Sequence, residues 1–512
     1  MTPSPPPNVS PKDLFEQARK MLDAGDVWGA ATRAGTLRKN LPDDPPVMAL
    51  NGYAYSRLGM HLVAIPDMRG ALHMTERALE EGDPENPAHP RIVEQKLRLM
   101  TEIGRSLADL GELHDALESI DEALEIEPDR VDSIIARAEV LARHGRGDDA
   151  LADLDDALGR KLDELPLRAA AARVLADHPE PDDAAMDACA GRLGELCDQV
   201  GLGVGDLAPA LRALARLLDR MGRHAEAFRT MRRAARLRYG SFDAGAYEKA
   251  VDAIIRNWTA DEIARLVRPD ERLGEKRIFL GGSVKSGVPR LERALEWIPN
   301  TFSLGPAELM GVLAATHFKT AQTPLRRVVA SPAGIRGEQL SELARGYINQ
   351  ATTVARLPDL TTIDTHPHNA LHFGLAAAAM PGVCIIQCRR DPMAHTLDVF
   401  ADEMPGNHAY AGDLMDTASF IHDTNRLMDH WREQLTDERV GARVIDVDFE
   451  EIMNAPGAVV ERVAGVLGVD LAPDMLAGLE PEPIRGPGAH ADAYASHLRP
   501  TREIFEPTSQ GA

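Results

Sequence analysis

Basic residues are scarce in this chain of 512 residues relative to acidic ones. Lys and Arg total 57 against 80 Asp and Glu, which gives a formal net charge of −23. A protein that coats nucleic acid needs a basic face to neutralise phosphates, so this balance argues against a nucleic-acid partner. A small basic pocket for one anionic ligand remains compatible with the composition.

Cysteine is also rare, with four in the whole chain. Cys189 and Cys197 fall in a helical pattern, whereas Cys384 and Cys388 fall in an apolar strand pattern. Neither pair has the further ligands that a zinc site requires. We therefore expect buried thiols in a reducing compartment.

Long apolar runs are missing as well. The proline-rich start lacks the basic and apolar regions of a secretory signal, and no later run is long and apolar enough to span a bilayer. We predict a flexible N-terminus over residues 1–9 and a cytoplasmic protein without membrane insertion.

The first half does contain a repeated pattern of alanine and glycine. The steps from Ala30 to Ala64 and from Ala116 to Ala150 are each 34 residues. Small residues at these offsets let paired helices approach closely, and the glycines open the turns between them. This is the tetratricopeptide signature, and it predicts a helical array over residues 10–266 that binds a protein or peptide in its groove. The pattern fades over residues 160–205, where we expect degenerate helical hairpins.

The sequence pattern changes after a charged linker, which we predict over residues 267–276. Apolar strand patterns occur at Arg277–Leu280, Val383–Cys388 and Val440–Val447, with helix patterns such as Phe420–Glu433 between them. Alternating strands and helices predict an α/β domain over residues 277–512, with helices on both sides of a mostly parallel sheet.

A glycine-rich turn, Gly281–Val288, follows the first of these strands and leads into a helix that starts at Pro289. Such a turn presents backbone N–H groups at the positive end of the helix, which suits phosphate or sulfate. It is not a Walker A sequence, so ATP hydrolysis is not indicated. A plain structural turn is the alternative.

Two arginines follow the second strand, in the sequence Cys388-Arg-Arg-Asp-Pro392. The carboxyl end of a strand in an open α/β sheet is where ligands bind, and arginine offers a fixed fork for a phosphate. The alternative is a structural pair in which Asp391 holds Arg389 or Arg390.

With these motifs in order, the second half resembles the sulfotransferases that use 3′-phosphoadenosine-5′-phosphosulfate (PAPS). It is most similar to bacterial proteins with tetratricopeptide repeats in front of a P-loop-like, three-layer domain that resembles protein-tyrosine sulfotransferases. The resemblance covers about Lys276 to Ala472. It rests on the ordered motifs Ile278–Glu292, Gly305–Leu309, Asp364–Asn369, Ile385–Pro392, Gly406–Tyr410, Leu427–Trp431 and Val447–Ile452.

The resemblance implies roles for individual residues. The residues that it places around the 5′-phosphosulfate are Gly282, Lys285, Ser286, Gly287 and Val288. Lys285 stands where the family has a catalytic arginine, Arg390 would meet the 3′-phosphate, and Asp398 would lie beside that phosphate. Glu308 aligns with the family's catalytic base, which takes the proton from an acceptor hydroxyl. Without the resemblance, the sequence favours a different interpretation of Glu308, as a helix-start acid after Gly305-Pro306.

The chain also departs from the family at several donor positions. Val288 and Pro289 replace two phosphate-binding threonines, Thr365 replaces a lysine, and Asp398 replaces a serine and would repel the 3′-phosphate. The family's C-terminal motif is not recognisable after Pro483. Each lost donor costs about 2–4 kcal/mol of transition-state stabilisation, so several losses reduce the rate greatly.

Histidines crowd the segment where the family has its lysine. His366, His368 and His372 lie near Asp364, and such clusters bind a metal in some proteins. Three histidines without fixed geometry favour cleft-lining side chains over a metal site, and we predict no metal.

Three functions are compatible with these observations. The first is a PAPS-dependent sulfotransferase that modifies a hydroxyl, tyrosine included, on a protein or peptide recruited by the array. The second is a catalytically weakened or inactive relative that acts as a tetratricopeptide binding scaffold. The third is a transferase for another anionic donor.

Overall fold

The computed structural model of the protein describes residues 10–23, 27–83, 85–237, 241–269, 272–322, 327–355, 357, 359–402 and 408–506. The predicted flexible segment 1–9 lies outside the described residues, and so do residues 403–407, which include the start of the motif Gly406–Tyr410. The described chain forms two compact units, one of residues 3–238 with 401–408 and the other of residues 239–400 with 409–512.

The first unit is the predicted array of paired helices. Its helices are α1 (Pro11–Asp23), α2 (Val27–Asn40), α3 (Pro45–Arg57), α4 (His61–Glu81), α5 (His89–Asp109), α6 (Leu113–Ile126), α7 (Val131–Arg143), α8 (Gly147–Gly159), α9 (Glu164–Asp177), α10 (Asp183–Cys197), α11 (Val204–Arg220) and α12 (His224–Ala235). Helices α9 and α10 occupy the stretch predicted to hold degenerate hairpins. The helical solenoid is therefore confirmed.

The repeated small residues have the positions that the pattern predicts. The alanines at the helix contacts, Ala30, Ala64, Ala116, Ala150 and Ala227, are fully buried. The glycines between paired helices have positive φ, at 75° for Gly59, 85° for Gly111, 79° for Gly145 and 72° for Gly222. A residue with a side chain is strained in that conformation, which explains the glycine at each turn.

The second unit contains two helices of the predicted array and all seven strands of the described chain. The helices are α13 (Ala244–Asn257), α14 (Ala260–Arg265), α15 (Val288–Leu295), α16 (Leu309–His317), α17 (Gly337–Ala355), α18 (Phe373–Ala379), α19 (Pro392–Ala401), α20 (Leu414–Leu435), α21 (Phe449–Asn454), α22 (Pro456–Leu467) and α23 (Ala495–Phe505). The strands are β1 (Arg277–Gly281), β2 (Thr301–Ser303), β3 (Ala321–Gln322), β4 (Arg327–Val328), β5 (Thr361–Asp364), β6 (Cys384–Arg389) and β7 (Arg443–Asp448). The predicted boundaries at 266 and 277 stay a prediction.

Five strands form one parallel sheet in the order β2-β5-β1-β6-β7, and β3 pairs with β4 in a separate hairpin. On one face, Ile278 and Leu280 of β1 pack with Leu291 of α15 and Val460 of α22. On the other face, the ring of Phe279 lies 5.2 Å from that of Tyr347 in α17. The predicted α/β fold, with helices on both sides of a parallel sheet, is confirmed.

Helices α13 and α14 pack onto the helical layer of this second unit. The indole of Trp258 is buried and its Nε1 donates a hydrogen bond to the Val329 carbonyl at 2.7 Å, while Nε2 of His430 lies 2.8 Å from the Trp258 carbonyl oxygen. The rings of Trp258 and Trp431 both pack against Gly374. A Cβ added to this glycine would lie 2.8 Å from the ring of Trp258 and 2.6 Å from that of Trp431. Only glycine fits between these indoles.

Candidate active site

The predicted site residues lie at one edge of the five-stranded sheet. Strands β1, β2, β5 and β6 run parallel, so their carboxyl ends share that edge. The glycine-rich loop follows β1, Glu308 follows β2, Thr365 follows β5 and Arg390 follows β6. The strand order reverses between β1 and β6, and ligands of open α/β sheets bind at such a point.

The glycine-rich loop after β1 has an unusual backbone. Lys285 has φ of 67° and Gly287 has φ of 95°, both in the left-handed region, and the N–H of Ser286 donates to the Ser283 carbonyl at 3.2 Å. Gly287 precedes α15, whose first turn contains Pro289. Pro289 has no N–H, and the N–H groups of Arg290 and Leu291 both donate to the Gly287 carbonyl, so Val288 provides the N–H at the positive end of this helix.

The hydroxyl of Ser286 is buried within this loop. The residue is 1% exposed, and its Oγ has no hydrogen-bond partner in the part of the chain that the structure describes. Gly282 makes room for it, because a Cβ on Gly282 would lie 2.4 Å from that Oγ. A buried, unpaired hydroxyl costs free energy unless a ligand accepts its hydrogen bond.

A buried histidine of α19 holds the loop in place. Nε2 of His395 lies 2.8 Å from the carbonyl oxygen of Val284 and 3.0 Å from Oγ of Ser283. Burial lowers the pKa of His395 to about 4, so the ring is neutral at neutral pH. Sequence analysis missed this residue, although its position one turn into a helix that starts at the sheet edge is a usable signal.

Arg390 is enclosed by contacts within the protein. Its Nη2 forms an ion pair with Oδ2 of Asp398, its Nη1 donates to the Lys285 carbonyl at 2.7 Å, and its Cζ lies 4.0 Å from the ring centroid of Phe449. The side chains of Arg390 and Asp398 are 3% and 10% exposed. The arginine assigned to the 3′-phosphate therefore already faces a carboxylate.

The neighbouring residues of that motif have structural contacts. Arg389 pairs with Asp429 at 3.0 Å and with Asp446 at 3.6 Å. Oδ1 of Asp391 accepts hydrogen bonds from the backbone N–H groups of Met393 and Ala394, which caps the start of α19. A structural arginine was expected here, and Arg389 has that role with acids other than Asp391.

Glu308 lies directly before α16 and is half-buried. Its Oε1 and the Nε2 of His372 both lie next to Gly311. A Cβ added to Gly311 would lie 3.1 Å from Oε1 of Glu308 and 3.2 Å from Nε2 of His372. The structure thus places a carboxylate and an imidazole side by side next to the sheet edge. A carboxylate at such a position is suited to accept a proton from a hydroxyl.

The other histidines border the turn after β5. Asp364 is buried and accepts hydrogen bonds from the Tyr347 hydroxyl at 2.9 Å and from Nδ2 of Asn369 at 2.8 Å, and burial raises its pKa to about 6. The rings of His366 and His368 are 5.4 Å apart. Within the described ranges, the ligand atoms of these three histidines and Asp364 do not form a group of three within 4.8 Å.

Comparison with known families agrees with this arrangement. Residues 277–473 match the model of the sulfotransferase family, and residues 97–130 match a model of the tetratricopeptide repeat. Residues 277–473 form a sulfotransferase domain. The sequence motifs predicted that the resemblance covers residues 276–472, which agrees with the matched range.

Solved structures similar to the chain include tetratricopeptide proteins. A protein of Thermus thermophilus is 19% identical over 43% of this chain and 99% of its own, with a TM-score of 0.31. One from Parabacteroides merdae is 17% identical over 45% of this chain and 81% of its own, with a TM-score of 0.29. A comparison with curated proteins found no match. Among helices of the described ranges, none has both the length and the apolar character of a membrane span.

The sulfotransferase domain also contains a half-buried acid that the sequence patterns did not single out. Glu292 of α15 accepts a hydrogen bond from the Ser303 hydroxyl, and Thr365 donates a second one. Burial raises the pKa of Glu292 to about 7, and neighbouring Glu296 adds to the rise. The signal in the sequence was an acid between Leu291 and Leu295, on the face of α15 that turns toward the sheet.

We expect Glu292→Gln to stabilise the domain at alkaline pH. The folded state binds this proton more tightly than the unfolded chain, so the free energy of unfolding falls as pH rises from 4.5 to about 7. Glutamine keeps the acceptor oxygen and removes the charge, which raises stability by up to about 3 kcal/mol at about pH 8 and little at about pH 4. Thermal unfolding at both pH values, with exposed Glu503→Gln as control, measures the difference. An equal effect at both would contradict the assignment.

Proposed function

We propose that this protein transfers a sulfuryl group from a nucleotide 5′-phosphosulfate to a hydroxyl. The observation that carries this function is the unpaired, buried hydroxyl of Ser286, in a loop between a parallel strand and a helix start. Lys285 and the positive end of α15 at Val288 add positive charge to the same loop. This set suits the doubly charged phosphosulfate end of the donor.

The chemistry asks for charge stabilisation and for one proton acceptor. A nucleotide phosphosulfate supplies an activated sulfuryl group whose S–O bond breaks as the acceptor oxygen attacks. The loop at Lys285 and Ser286 stabilises the charge that develops on the departing phosphate. Glu308 accepts the proton of the acceptor hydroxyl, and His372 beside it orients the carboxylate. The loop follows β1 and Glu308 follows β2, and these two strands end at the same edge of the sheet.

The acceptor in this proposal is a hydroxyl on a protein or peptide that the helical array recruits in the cytoplasm. The tetratricopeptide match at residues 97–130 supports protein binding, and the resemblance to protein-tyrosine sulfotransferases favours tyrosine. The resemblance also implies PAPS as donor. The loop fits the 5′-phosphosulfate half of PAPS, whereas the 3′-phosphate would meet Arg390 already paired with Asp398.

A catalytically inactive scaffold is the second candidate function. It is favoured by the ion pair of Arg390 with Asp398, together with Val288 and Pro289 at donor positions of the loop. In that case the array binds its partner, and no nucleotide binds at the sheet edge.

Thermal unfolding with nucleotide separates the two functions. A ligand of the folded state raises the melting temperature, so adenosine monophosphate (AMP) or adenosine 3′,5′-bisphosphate (PAP) at millimolar concentration should raise it by several degrees. Lys285→Ala should remove the shift, whereas Lys319→Ala, away from the loop, should leave it. No shift with either nucleotide would reject the transferase and leave the scaffold.

A further inference from the structure

The carboxylate of Asp398 has contacts that a bound phosphate would have. Its Oδ1 accepts the N–H of Gly488 at 2.7 Å, and its Oδ2 faces the guanidinium of Arg390. Lys285 is near enough to oppose the rise that burial causes in the pKa of this carboxyl. A cation, a backbone N–H and a second cation are the donors with which proteins bind a phosphate.

These contacts set the positive charge of Arg390 against a carboxylate of this chain, while its Nε is buried and has no hydrogen-bond partner within the described residues. Of its two terminal nitrogens, one binds Asp398 and the other binds the Lys285 carbonyl, while its face covers Phe449. A phosphate beside this pair would meet a carboxylate at close range, and two such charges repel strongly in a partly buried site. Moving Asp398 away would break a buried ion pair, which is costly.

The chain also fills the space around the carboxylate. A Cβ on Gly488 would lie 2.6 Å from Oδ2 of Asp398, and a Cβ on Gly486 would lie 3.2 Å from Oδ1. The backbone of residues 486–488 therefore packs directly on this carboxylate. This close packing disfavours an additional phosphate beside the carboxylate.

We infer that the sulfuryl donor of this domain is a nucleoside 5′-phosphosulfate with a free ribose 3′-hydroxyl, of the adenosine 5′-phosphosulfate class, rather than its 3′-phosphorylated form. A carboxylate accepts a hydrogen bond from a ribose hydroxyl, whereas an unpaired arginine is needed to bind a ribose phosphate, as dinucleotide-binding proteins illustrate. This inference rests on the proposed function. In the reaction the S–O bond to the 5′-phosphate breaks, an S–O bond to the acceptor forms, the acceptor proton goes to Glu308, and AMP leaves.

Titration of the full chain with AMP and with PAP tests the donor class directly. The two probes differ only in the 3′-phosphate. We expect AMP to bind at least about tenfold more tightly than PAP to the wild-type protein, because the repulsion by Asp398 acts on PAP alone. Calorimetry and melting-temperature shifts measure both affinities without any need for activity. Equal or tighter binding of PAP would overturn the inference while the proposed function stands, and binding of neither would reject the function.

Two substitutions assign the preference to Asp398. Asp398→Asn keeps the shape and an acceptor for Gly488 while removing the charge, and Asp398→Ser introduces the serine of the related enzymes. Both should raise PAP affinity at least about tenfold relative to AMP, whereas Asp437→Asn, a partly exposed control after α20, should not. An unchanged ratio in Asp398→Asn would overturn the inference. If Asp398→Ser fails to fold, Asp398→Asn and the wild-type comparison still decide.

Discussion

Glu308→Gln should lower the rate of sulfuryl transfer by about 10²–10⁴-fold, the usual contribution of a general base. Glutamine keeps the size of the side chain and cannot accept the proton of the acceptor hydroxyl. Nucleotide affinity should be unchanged, because the phosphate-binding loop follows a different strand. Transfer of labelled sulfuryl from donor to proteins of a lysate measures the rate, and nucleotide-induced melting shifts measure the affinity.

The matched control is Glu338→Gln, an exposed acid in the first turn of α17. It removes the same charge from the same domain and should leave transfer at the wild-type rate. Transfer by Glu308→Gln at more than about a tenth of the wild-type rate would reject Glu308 as the base. Loss of transfer together with loss of nucleotide binding would instead indicate a disturbed fold.

Arg390→Ala should destabilise the sulfotransferase domain by about 3–5 kcal/mol, because it leaves Asp398 buried without its partner. The double variant Arg390→Ala, Asp398→Ala removes both charges and should recover a large part of that loss. The recovered part is the coupling between the two side chains. Tryptophan fluorescence reports unfolding of this unit, since Trp258 and Trp431 are buried in it.

Arg432→Ala provides the comparison for an exposed pair. Arg432 contacts Asp429 and Asp446 with about half of its side chain exposed, and such pairs contribute about 0–1 kcal/mol. A loss below about 1 kcal/mol for Arg390→Ala would mean that Asp398 finds another partner or takes up a proton. The pair would then not neutralise Arg390 permanently, which would weaken the argument for a donor without 3′-phosphate.

Local patterns in the sequence predict much of this sheet edge. The apolar run Val383–Cys388 corresponds to β6, and the glycine-rich turn after Arg277–Leu280 is a loop with left-handed residues. Each depends on residues adjacent in sequence, so pattern and structure agree. The short strand β2 escaped prediction because Thr301–Ser303 is half-buried and has no distinctive alternation.

The contacts that decide the chemistry join distant residues. Asp398 was expected to face the nucleotide, yet Gly488, 90 residues later, donates to it from a C-terminal segment in which no family motif was recognised. The hydrogen bond of Glu292 with Ser303 likewise depends on how β2 returns to the sheet. No periodicity in a single sequence indicates which distant residues come into contact. The ion pair of Arg390 with Asp398 therefore could not be predicted from the sequence.

The position of Trp258 has a practical consequence for isolating the catalytic half. Its indole contacts Gly374 and its Nε1 binds the Val329 carbonyl, so it belongs to the interior of the sheet-containing unit. A fragment that starts at the first strand would lose this indole and expose an apolar hollow against Trp431. Fragments for expression should therefore begin upstream of Ala244, so that they include α13 and α14 together with the sheet.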